Sequence, residues 1–467
     1  MTSLLHDQLM NDPRLAQAKQ LIMEALKDAQ SSLTKTRPSH HDSDAFQSQL
    51  KAFSTCRGGP LWYDYLGSGL GNGPYVEMGD GSVKLDLISG IGVHWGHGMP
   101  ELVEASIDSA LQDVVMQGNL QQNAGSASLC EELVNASGLD HCFLTSSGAM
   151  ANENALKMCF QRHSPANRIL AFEHCFMGRT LSIAHITDKA AYRVGLPQTI
   201  QTDYIPFYDR NQPEESTRRA VETLHALLDR YPGQYAAMCF ELIQGENGYY
   251  PGSHDFFVSL MDVLKSHDIA ILVDEVQTFG RTESLFAFQH FELEKYVDIV
   301  TVGKLLQVCA TLYRSDYKPK PGLISQTFTS STSAIESSRV ILRSLLHQGY
   351  LGPDGKIARM RAHMVSKLEG LSSTYPEHIQ GPFGMGSMIA MTVFGGDKDR
   401  VIAFVKLLYE RGVIAFIAGQ TPMRVRFLMP IGGIEESHID EAITILDGVI
   451  KDCQTHTSPQ KTLRGDL

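Results

Sequence analysis

The sequence lacks the features that mark several classes of protein. Only 20% of its 467 residues are charged and 43% are hydrophobic, so it does not have the composition of a disordered chain. No apolar stretch approaches the roughly 18–20 residues that a membrane span requires. The N-terminus carries acidic residues where a signal peptide needs a basic start and an apolar run. We therefore expect a soluble cytoplasmic protein with no membrane partner.

Positive charge is scarce as well. There are 40 Lys and Arg residues against 52 Asp and Glu, a formal net charge of −12, and the longest basic run is the pair Arg218–Arg219. Nucleic-acid binding usually requires a basic stripe, so we expect no nucleic-acid partner. The eight cysteines are scattered, with no CxxC pair and no metal-ligand spacing. This distribution predicts reduced thiols and no metal site.

The spacing of apolar residues predicts an arm followed by a large and a small domain. Residues 1–50 combine helical spacing over 11–33 with a polar stretch, so we expect an N-terminal helical arm. The sequence leaves open whether this arm packs on a partner subunit or is disordered at the surface. We assign residues 51–80 to the N-terminal part of the small domain, 81–352 to the large domain and 353–467 to the C-terminal small domain.

Short apolar runs alternate with helical stretches through the large domain. The runs are 141–146, 168–173, 235–243, 269–275 and 298–303, and the helical stretches include 100–116, 149–162, 214–230 and 253–266. This alternation predicts an α/β fold with a large, mostly parallel sheet covered by helices on both faces. Beyond about residue 352, strands near 387–393 and 424–428 alternate with helices at 355–371, 397–411 and 435–451, which predicts a smaller α+β domain.

Ligands of open parallel sheets bind at the carboxyl ends of the strands, so the residues after each apolar run are the first candidates. The first run is followed by Ser147, Gly148 and Ala149, directly before a helix. Such a turn is either an ordinary helix cap or an anion cradle of backbone N–H groups. Asp274 ends a buried strand, where a carboxylate is either a structural cap or the partner of a cation such as a protonated pyridine nitrogen.

Two further strand ends carry charged side chains. Lys304 follows the run at 298–303; it is either a solvated surface charge or, if buried, an amine able to form a Schiff base. The loop from Glu241 to Gly248 brings Gln244 and Glu246 after another run. Each of these features is weak alone, and their order along the chain is what indicates a shared site.

The order of these features resembles that of the class III aminotransferases, which are pyridoxal-phosphate enzymes of fold type I. The likeness runs from about residue 73 to 451 and rests on the strings SSGAMANENALK, CFMGRT, FELIQGENG, LVDEVQTFGRTESLFAFQHF, DIVTVGK and RVRFLMP. It implies a seven-stranded-type sheet in the large domain and pyridoxal 5'-phosphate as cofactor.

The resemblance also implies roles for single residues. Lys304 would form the Schiff base with the cofactor and serve as the base of the proton transfer. Asp274 would keep the pyridine nitrogen protonated, Gln277 would contact the ring hydroxyl, and Phe176 would stack on the ring. These assignments follow from the matching strings alone.

The phosphate grip implied by the resemblance involves two parts of the chain. Ser147, Gly148 and Ala149 would hold the phosphate, with the last two donating backbone N–H groups. Thr327 stands where the family places a threonine that binds the phosphate of the neighbouring subunit. The resemblance therefore implies a homodimer with shared active sites.

The substrate residues implied by the resemblance are Arg179, Glu246 and Arg426. They resemble an arrangement in which one arginine holds an α-carboxylate and a glutamate shields the other until a dicarboxylate arrives. The stretch VGKLLQVCATLY is similar to the lysine 6-aminotransferase branch. We expect transfer of the terminal amine of lysine or ornithine to 2-oxoglutarate, with 4-aminobutyrate or acetylornithine as alternative donors.

Departures from the family pattern and rival functions complete the sequence reading. The glycine usual between Thr278 and Phe279 is absent, and a Thr-Ser-Ser run follows Phe328, so the substrate range and the phosphate grip are open. His94 and His97 lie near the entry side, and we expect them to be structural. A related decarboxylase or racemase would share the cofactor residues, and a non-catalytic scaffold of the same fold is a more remote alternative.

Overall fold

The computed structural model describes residues 4–40 and 43–455. The remaining parts of the predicted arm and C-terminal domain, residues 1–3, 41–42 and 456–467, lie outside the described residues. The first elements are three helices: α1 Leu5–Met10, α2 Pro13–Gln30 and α3 Ser43–Arg57. Asp12 caps α2, since its Oδ1 accepts the Arg14 N–H at 2.9 Å, and Pro13 occupies the first turn.

A small sheet and four further elements lead into the large domain. They are β1 Gly67–Asn72, β2 Tyr75–Met78, β3 Val83–Asp86, α4 Ser89–Gly92, α5 Pro100–Ala110, β4 Met116–Gln117 and α6 Ala124–Ser137. The helix expected to run to Met116 ends at Ala110, because Met116 and Gln117 pair instead with a strand at Ser330 and Ser331.

The elements of the large sheet follow in alternation. They are β5 His141–Thr145, α7 Gly148–Arg162, β6 Arg168–Phe172, β7 Gln201–Ile205, α8 Pro213–Arg230, β8 Tyr235–Phe240, β9 Ile243–Gln244, β10 Tyr250–Pro251, α9 His254–Ser266, β11 Ala270–Glu275, α10 Ala287–His290, β12 Ile299–Val302, β13 Cys309–Tyr313, β14 Ser330–Ser331 and α11 Thr332–His347.

The seven-stranded sheet has the order β5-β13-β12-β11-β8-β6-β7. Strands β12, β11, β8, β6 and β7 run parallel, whereas β13 is antiparallel to both of its neighbours. Alternate strand residues face opposite sides: Cys239 packs in the core with Ala155 of α7, and Met238 packs in the core with Phe256 of α9. The expectation of a mostly parallel sheet with helices on both faces is confirmed.

The C-terminal region forms a second sheet with helices. Its elements are α12 Lys356–Thr374, β15 Ile379–Met385, β16 Met388–Val393, α13 Lys398–Glu410, β17 Val413–Ile414, β18 Phe416–Ala418, β19 Arg424–Leu428 and α14 Glu436–Thr455. The sheet is antiparallel, in the order β15-β16-β19-β18. Strand β17 pairs in parallel with β3, so the N-terminal sheet and the C-terminal region are joined. The predicted boundaries at residues 50, 80 and 352 stay predictions.

No helix within residues 4–40 and 43–455 is long and apolar enough to cross a bilayer. The carboxyl ends of the parallel strands in the seven-stranded sheet lie at one edge of the sheet. The candidate residues follow these strand ends.

Candidate active site

Three turns, which follow β5, β11 and β12 of the large sheet, meet at Val276. A Cβ atom on Gly148, after β5, would lie 2.7 Å from a methyl carbon of Val276, and one on Gly303, after β12, would lie 3.4 Å from the same carbon. Val276 itself follows β11. Glycine at position 148 is required by this close approach. The fold thus brings the turns at Gly148, Asp274 and Lys304 to one place, as the strand-end rule predicts.

The N-terminus of α7 forms one wall. The Ser147 hydroxyl accepts the Met150 N–H at 3.2 Å and caps the helix. The first N–H groups of a helix have no intrahelical acceptor, so those of Gly148 and Ala149 are available to an anion. The helix dipole adds to this preference. Ala149 has no side-chain hydroxyl, so at this position only the backbone N–H group can bind an anion.

Asp274 is buried at the end of β11 and held by two donors. Asn152 Nδ2 donates to its Oδ2 at 2.7 Å, and the Val276 N–H donates to its Oδ1 at 2.8 Å. Burial raises the pKa of Asp274 to about 6, against the opposing effect of these hydrogen bonds. No ion pair to Asp274 occurs among the residues that the structure covers. A cationic ring nitrogen would relieve this buried carboxylate.

Lys304 stands directly after β12 in a left-handed backbone conformation, with φ of +48°. Such backbone is unfavourable for a side chain with a Cβ and is often found at functional sites. Burial lowers the pKa of Lys304 to about 8, although the carboxylate of Glu246 opposes the shift. A substantial neutral fraction near this pH makes the amine a nucleophile.

Gln277 and Phe176 border the same space. Gln277 is buried, and its Oε1 has no hydrogen-bond partner within the described chain. A buried acceptor without a donor is costly, so a ligand hydroxyl is the natural complement. Phe176 is half-buried, and its backbone N–H donates to Glu241 Oε2 at 3.0 Å.

Glu241 ties two loops of the site together. Its second oxygen accepts the Gly245 N–H at 3.0 Å, so one carboxyl group holds both the Phe176 loop and the Gly245 loop. Burial, followed by repulsion from Asp274, raises the pKa of Glu241 to about 8.

The donor set fits pyridoxal 5'-phosphate. The helix end at Gly148 suits the phosphate, Asp274 suits the ring nitrogen, and the unpartnered oxygen of Gln277 suits the ring hydroxyl. Lys304 supplies the amine with lowered pKa. All four predicted contributions come from turns that the fold places side by side.

Arg426 and Glu246 form a buried ion pair next to this group. Arg426 on β19 is fully buried, with its Nη2 2.7 Å from Glu246 Oε1 and its Nη1 3.2 Å from the Gly245 carbonyl oxygen. Lys189 lies 4.0 Å from the other Glu246 oxygen. Burial opposes ionisation of Glu246, but Arg426 and Lys304 outweigh it and hold its pKa below the usual value.

Arg179 is placed differently from Arg426. It is exposed; its guanidinium lies 4.3 Å from the centre of the Tyr192 ring, and its Nη2 donates to the Tyr192 hydroxyl at 3.2 Å. Within residues 4–40 and 43–455 it has no carboxylate partner. Arg179 is therefore ready to bind a carboxylate, whereas Arg426 already holds one.

Thr327 is exposed on the surface of the chain. Its carbonyl oxygen packs against Gly118, where a Cβ would approach it to 1.9 Å. The neighbouring Gln326 accepts the Thr145 hydroxyl at 2.7 Å, near the end of β5. The Thr327 side chain is thus accessible to a second subunit, and its predicted role stays a prediction.

Sequence reasoning missed Asn152 and Thr301. Asn152 also donates to the Met177 carbonyl oxygen at 2.8 Å and accepts the Thr301 hydroxyl at 2.7 Å. The available signal was an asparagine on the buried side of α7, four residues after Gly148. His97, expected to be structural, bonds Asp86 through its Nε2 at 2.9 Å.

Known proteins resemble this chain over most of its length. The family model described as aminotransferase class-III matches residues 69–450. An acetylornithine aminotransferase of Methanocaldococcus jannaschii is 28% identical over 400 residues, covering 81% of this chain and 92% of that protein. A putative [LysW]-aminoadipate semialdehyde/glutamate semialdehyde transaminase of Pyrococcus furiosus is 29% identical over 386 residues, covering 82% and 95%.

Solved structures show the same fold. A lysine aminotransferase from M. tuberculosis superposes with a TM-score of 0.76 at 22% identity, covering 86% of this chain and 99% of that chain. An ornithine aminotransferase from Toxoplasma gondii ME49 gives a TM-score of 0.75 at 22% identity, covering 89% and 99%. At 22% identity these two structures show that the fold is shared. The family assignment rests on the match to the family model.

Proposed function

The chain belongs to the class-III aminotransferases, which depend on pyridoxal phosphate, and from this premise we propose that it moves the terminal amine of an ω-amino acid, lysine or ornithine above all, to 2-oxoglutarate. The products are a semialdehyde and glutamate. The observation that carries the proposal is the buried Arg426–Glu246 pair, together with an Arg179 that bonds Tyr192 and has no carboxylate partner among the described residues. One free guanidinium suits a donor with a single carboxylate, and two suit a dicarboxylate acceptor.

In this proposal each substrate meets a different charge state of the site. The α-carboxylate of the donor binds Arg179 while Glu246 neutralises Arg426. When 2-oxoglutarate binds, its second carboxylate replaces Glu246 on Arg426, and Glu246 turns away. Lys189, 4.0 Å from Glu246 Oε2, is a cation that Glu246 can then face. The exchange leaves no buried charge uncompensated, which is why it is feasible in an enclosed site.

The cofactor, when bound, supplies an electron sink for the carbon that loses its proton. We propose that Ser147, Gly148 and Ala149 hold its phosphate and that Asp274 and Gln277 hold its ring. Asn152 is a positioning residue, because it fixes the Asp274 carboxylate through a 2.7 Å hydrogen bond. Phe176 covers one face of the ring.

Lys304 is the proposed proton carrier. Its Nζ would take the proton from the amine-bearing carbon of the substrate and deliver it to the cofactor carbon on the other side of that nitrogen, a 1,3-transfer. The pKa of about 8 keeps the amine close to the balance between its two forms at physiological pH. The strained backbone at residue 304 restricts where this amine can point.

A second candidate donor is acetylornithine. It is favoured by the names of the curated relatives, among them the acetylornithine aminotransferase of M. jannaschii at 28% identity. Acetylation removes the α-ammonium charge and leaves both the carboxylate and the reacting terminal amine. Arg179 would serve either donor, so the two differ in what surrounds the α-nitrogen.

Purified protein incubated with 2-oxoglutarate and one donor at a time tests the proposal. We expect glutamate formation with lysine or ornithine at a higher kcat/KM than with acetylornithine or 4-aminobutyrate. A higher value with acetylornithine replaces the donor assignment, and no glutamate with any of the four overturns the proposal. Protein that stays colourless after addition of pyridoxal phosphate would remove the catalytic function altogether.

We propose further that the enzyme is a homodimer with shared sites. The exposed Thr327 lies close to exposed apolar side chains on neighbouring segments, namely Val115, Met116, Leu120 and Phe328. Apolar surface of this kind is typical of a subunit interface. In a mixed dimer of Lys304→Ala and Thr327→Val chains, the intact Thr327 would serve the intact Lys304. We expect half the wild-type activity at unchanged cofactor affinity; weakened affinity would place Thr327 in its own subunit's site.

A further inference from the structure

A cavity of about 800 Å³ lies beyond Glu246 along the same edge of the large sheet. Its walls come from the segment after β7 (residues 206–212), the loop 244–251, strand β15 and residues 419–424. Glu246 and Lys189 belong to its lining, whereas Lys304, Arg179 and Arg426 do not. The cavity is therefore a neighbour of the proposed reaction site, separated from it by Glu246.

Arg424 is the unusual residue of this cavity. It is 5% exposed, and its guanidinium carbon lies between two rings, 3.9 Å from the centre of Tyr250 and 3.8 Å from that of Phe383. Its Nη1 donates to the Gly248 carbonyl oxygen at 2.6 Å, but its buried Nε has no partner in the chain as described. Burial lowers the pKa of Arg424 to about 10. A buried guanidinium ordinarily has a carboxylate partner, because charge is costly away from water.

A second guanidinium reaches the same ring. Arg210 is exposed, lies 5.4 Å from the centre of Phe383, and adds its repulsion to Arg424. Neither arginine makes an ion pair within residues 4–40 and 43–455. Two guanidinium groups around one aromatic ring form a pocket that an anion would neutralise.

The acidic residues of the lining do not supply this anion. Glu246 is paired with Arg426 at 2.7 Å, Asp188 accepts the His174 N–H at 2.8 Å, and Asp209 accepts the Asn211 N–H at 2.9 Å. The fourth, Glu173, is exposed to solvent.

We propose that this cavity is a second anion-binding site, in which Arg424 and Arg210 hold the carboxylate or phosphate group of a small molecule. The rings of Tyr250 and Phe383 provide apolar surface for a carbon skeleton. The volume exceeds what a bare ion needs and falls within the range of small-molecule sites. The occupant is either a second anionic group at the far end of a donor longer than lysine or ornithine, whose first carboxylate binds Arg179, or a separate effector with the same kind of anionic group.

Calorimetric titration of the holoenzyme with inorganic phosphate and with succinate tests the site. We expect Arg210→Met to weaken one binding event per chain by about tenfold or more, as loss of a charge-assisted hydrogen bond does. Arg230→Met is the matched control, since Arg230, like Arg210, is an exposed arginine beside an aromatic ring, here that of Tyr231, but lies outside the cavity. Arg424→Met should remove the same event; a circular-dichroism melt shows whether that variant is folded.

The possible results distinguish a donor from an effector as the occupant, and distinguish both from the absence of a second site. A raised KM for the amino donor in Arg210→Met, with Arg230→Met unchanged, identifies the donor's far end as occupant. An unchanged KM with lost phosphate or succinate binding identifies an effector. Binding that is the same in wild type, Arg210→Met and folded Arg424→Met overturns the second site. The titration needs no aminotransferase turnover, so it stands or falls separately from the proposed reaction.

Discussion

Arg424 and Arg426, two buried arginines of one strand, differ in whether a carboxylate pairs with them. Both lie on β19, two positions apart and hence on the same face of the strand. Arg426 has Glu246 at 2.7 Å, which keeps its pKa above the usual value in spite of burial, whereas burial lowers the pKa of Arg424 to about 10. The comparison shows that a carboxylate partner decides whether burial lowers the pKa of a buried guanidinium.

The two arginines also mark two sides of one loop. Arg426 bonds the Gly245 carbonyl oxygen and Arg424 bonds the Gly248 carbonyl oxygen, so they hold opposite ends of the segment that carries Glu246. On the Arg426 side lie Lys304 and the proposed cofactor residues. On the Arg424 side lies the cavity. The predictions below separate the reaction side from the cavity side.

The largest effect is expected on the reaction side, from Lys304→Ala. Loss of the amine removes both the covalent link to the cofactor and the proton carrier, so turnover should fall on the order of 10⁴-fold or more. Steady-state glutamate formation measures it. Borohydride treatment should fix the cofactor to the wild-type chain and leave the variant unlabelled. A variant that retains turnover within about tenfold of wild type would displace Lys304 from its role.

The second effect compares Arg426→Met with Arg424→Met. Arg426→Met should raise the KM for 2-oxoglutarate by about 100-fold, because a bidentate charge-assisted contact is lost. Arg424→Met should raise the KM for 2-oxoglutarate by a factor that is at least about tenfold smaller. Since Arg426→Met leaves Glu246 buried without its partner, the double variant Arg426→Met/Glu246→Gln is measured with it. Equal effects of the two single changes would contradict the division into two sides.

A smaller effect is expected from Asn152→Ala. The change removes the hydrogen bond that stabilises the ionised form of Asp274, so the pKa of that carboxyl should rise further above 6 in the protein without cofactor. Cofactor affinity, followed by visible absorbance, should fall about tenfold. Asn154→Ala is the control, since Asn154 is another buried asparagine of α7. Equal losses in both variants would indicate damage to the helix alone.

The smallest effect concerns pH. The pKa of Lys304 is lowered from 10.5 to about 8, so the rate of cofactor uptake by the protein without cofactor should rise with pH and level off above about 8. The unfolded chain binds the Lys304 proton up to a higher pH than the folded chain does. This residue therefore makes stability rise with pH between about 8 and 10.5.

The control for the pH profile is Glu246→Gln. Its carboxylate raises the pKa of Lys304 against the effect of burial, so the midpoint of cofactor uptake should move to lower pH in this variant. The change in midpoint is read from the same absorbance records at several pH values. A midpoint that stays in place would show that Glu246 and Lys304 do not interact as strongly as their burial implies.

The alternation of apolar runs and helical stretches between residues 141 and 303 predicted the core of the large sheet, and five predicted strands form there. Strand β13 was not predicted as a strand of this sheet. Its run, Cys309–Tyr313, is apolar, but nothing in its period shows that it enters antiparallel between β5 and β12. Strand pairing depends on segments far apart in the chain, which local patterns do not encode.

The residues of the candidate site likewise fall into two groups: those that local motifs predict and those that depend on contacts between distant segments. The motif strings pointed to Lys304, Asp274 and Gln277 as candidates, because their order at strand ends is a local feature of the chain, and the roles of these residues stay predictions. They did not identify the support of Asp274 by Asn152, which joins residues 122 positions apart. The predicted roles of Thr327, Arg179 and the N-terminal arm stay predictions, since they depend on a second subunit or on a substrate.

The apolar periodicity of the sequence predicted the fold class, and the resemblance of its motif strings to the class III aminotransferases implied the family and the cofactor, because both are properties of neighbouring residues. Only the tertiary structure decided which charges meet. Arg424 and Arg426 read alike in the string RVRFLMP, and it is the loop from Gly245 to Gly248 that gives one a carboxylate and the other only a carbonyl oxygen. The environment of a buried charge is set by what folds against it, and that is distant in sequence.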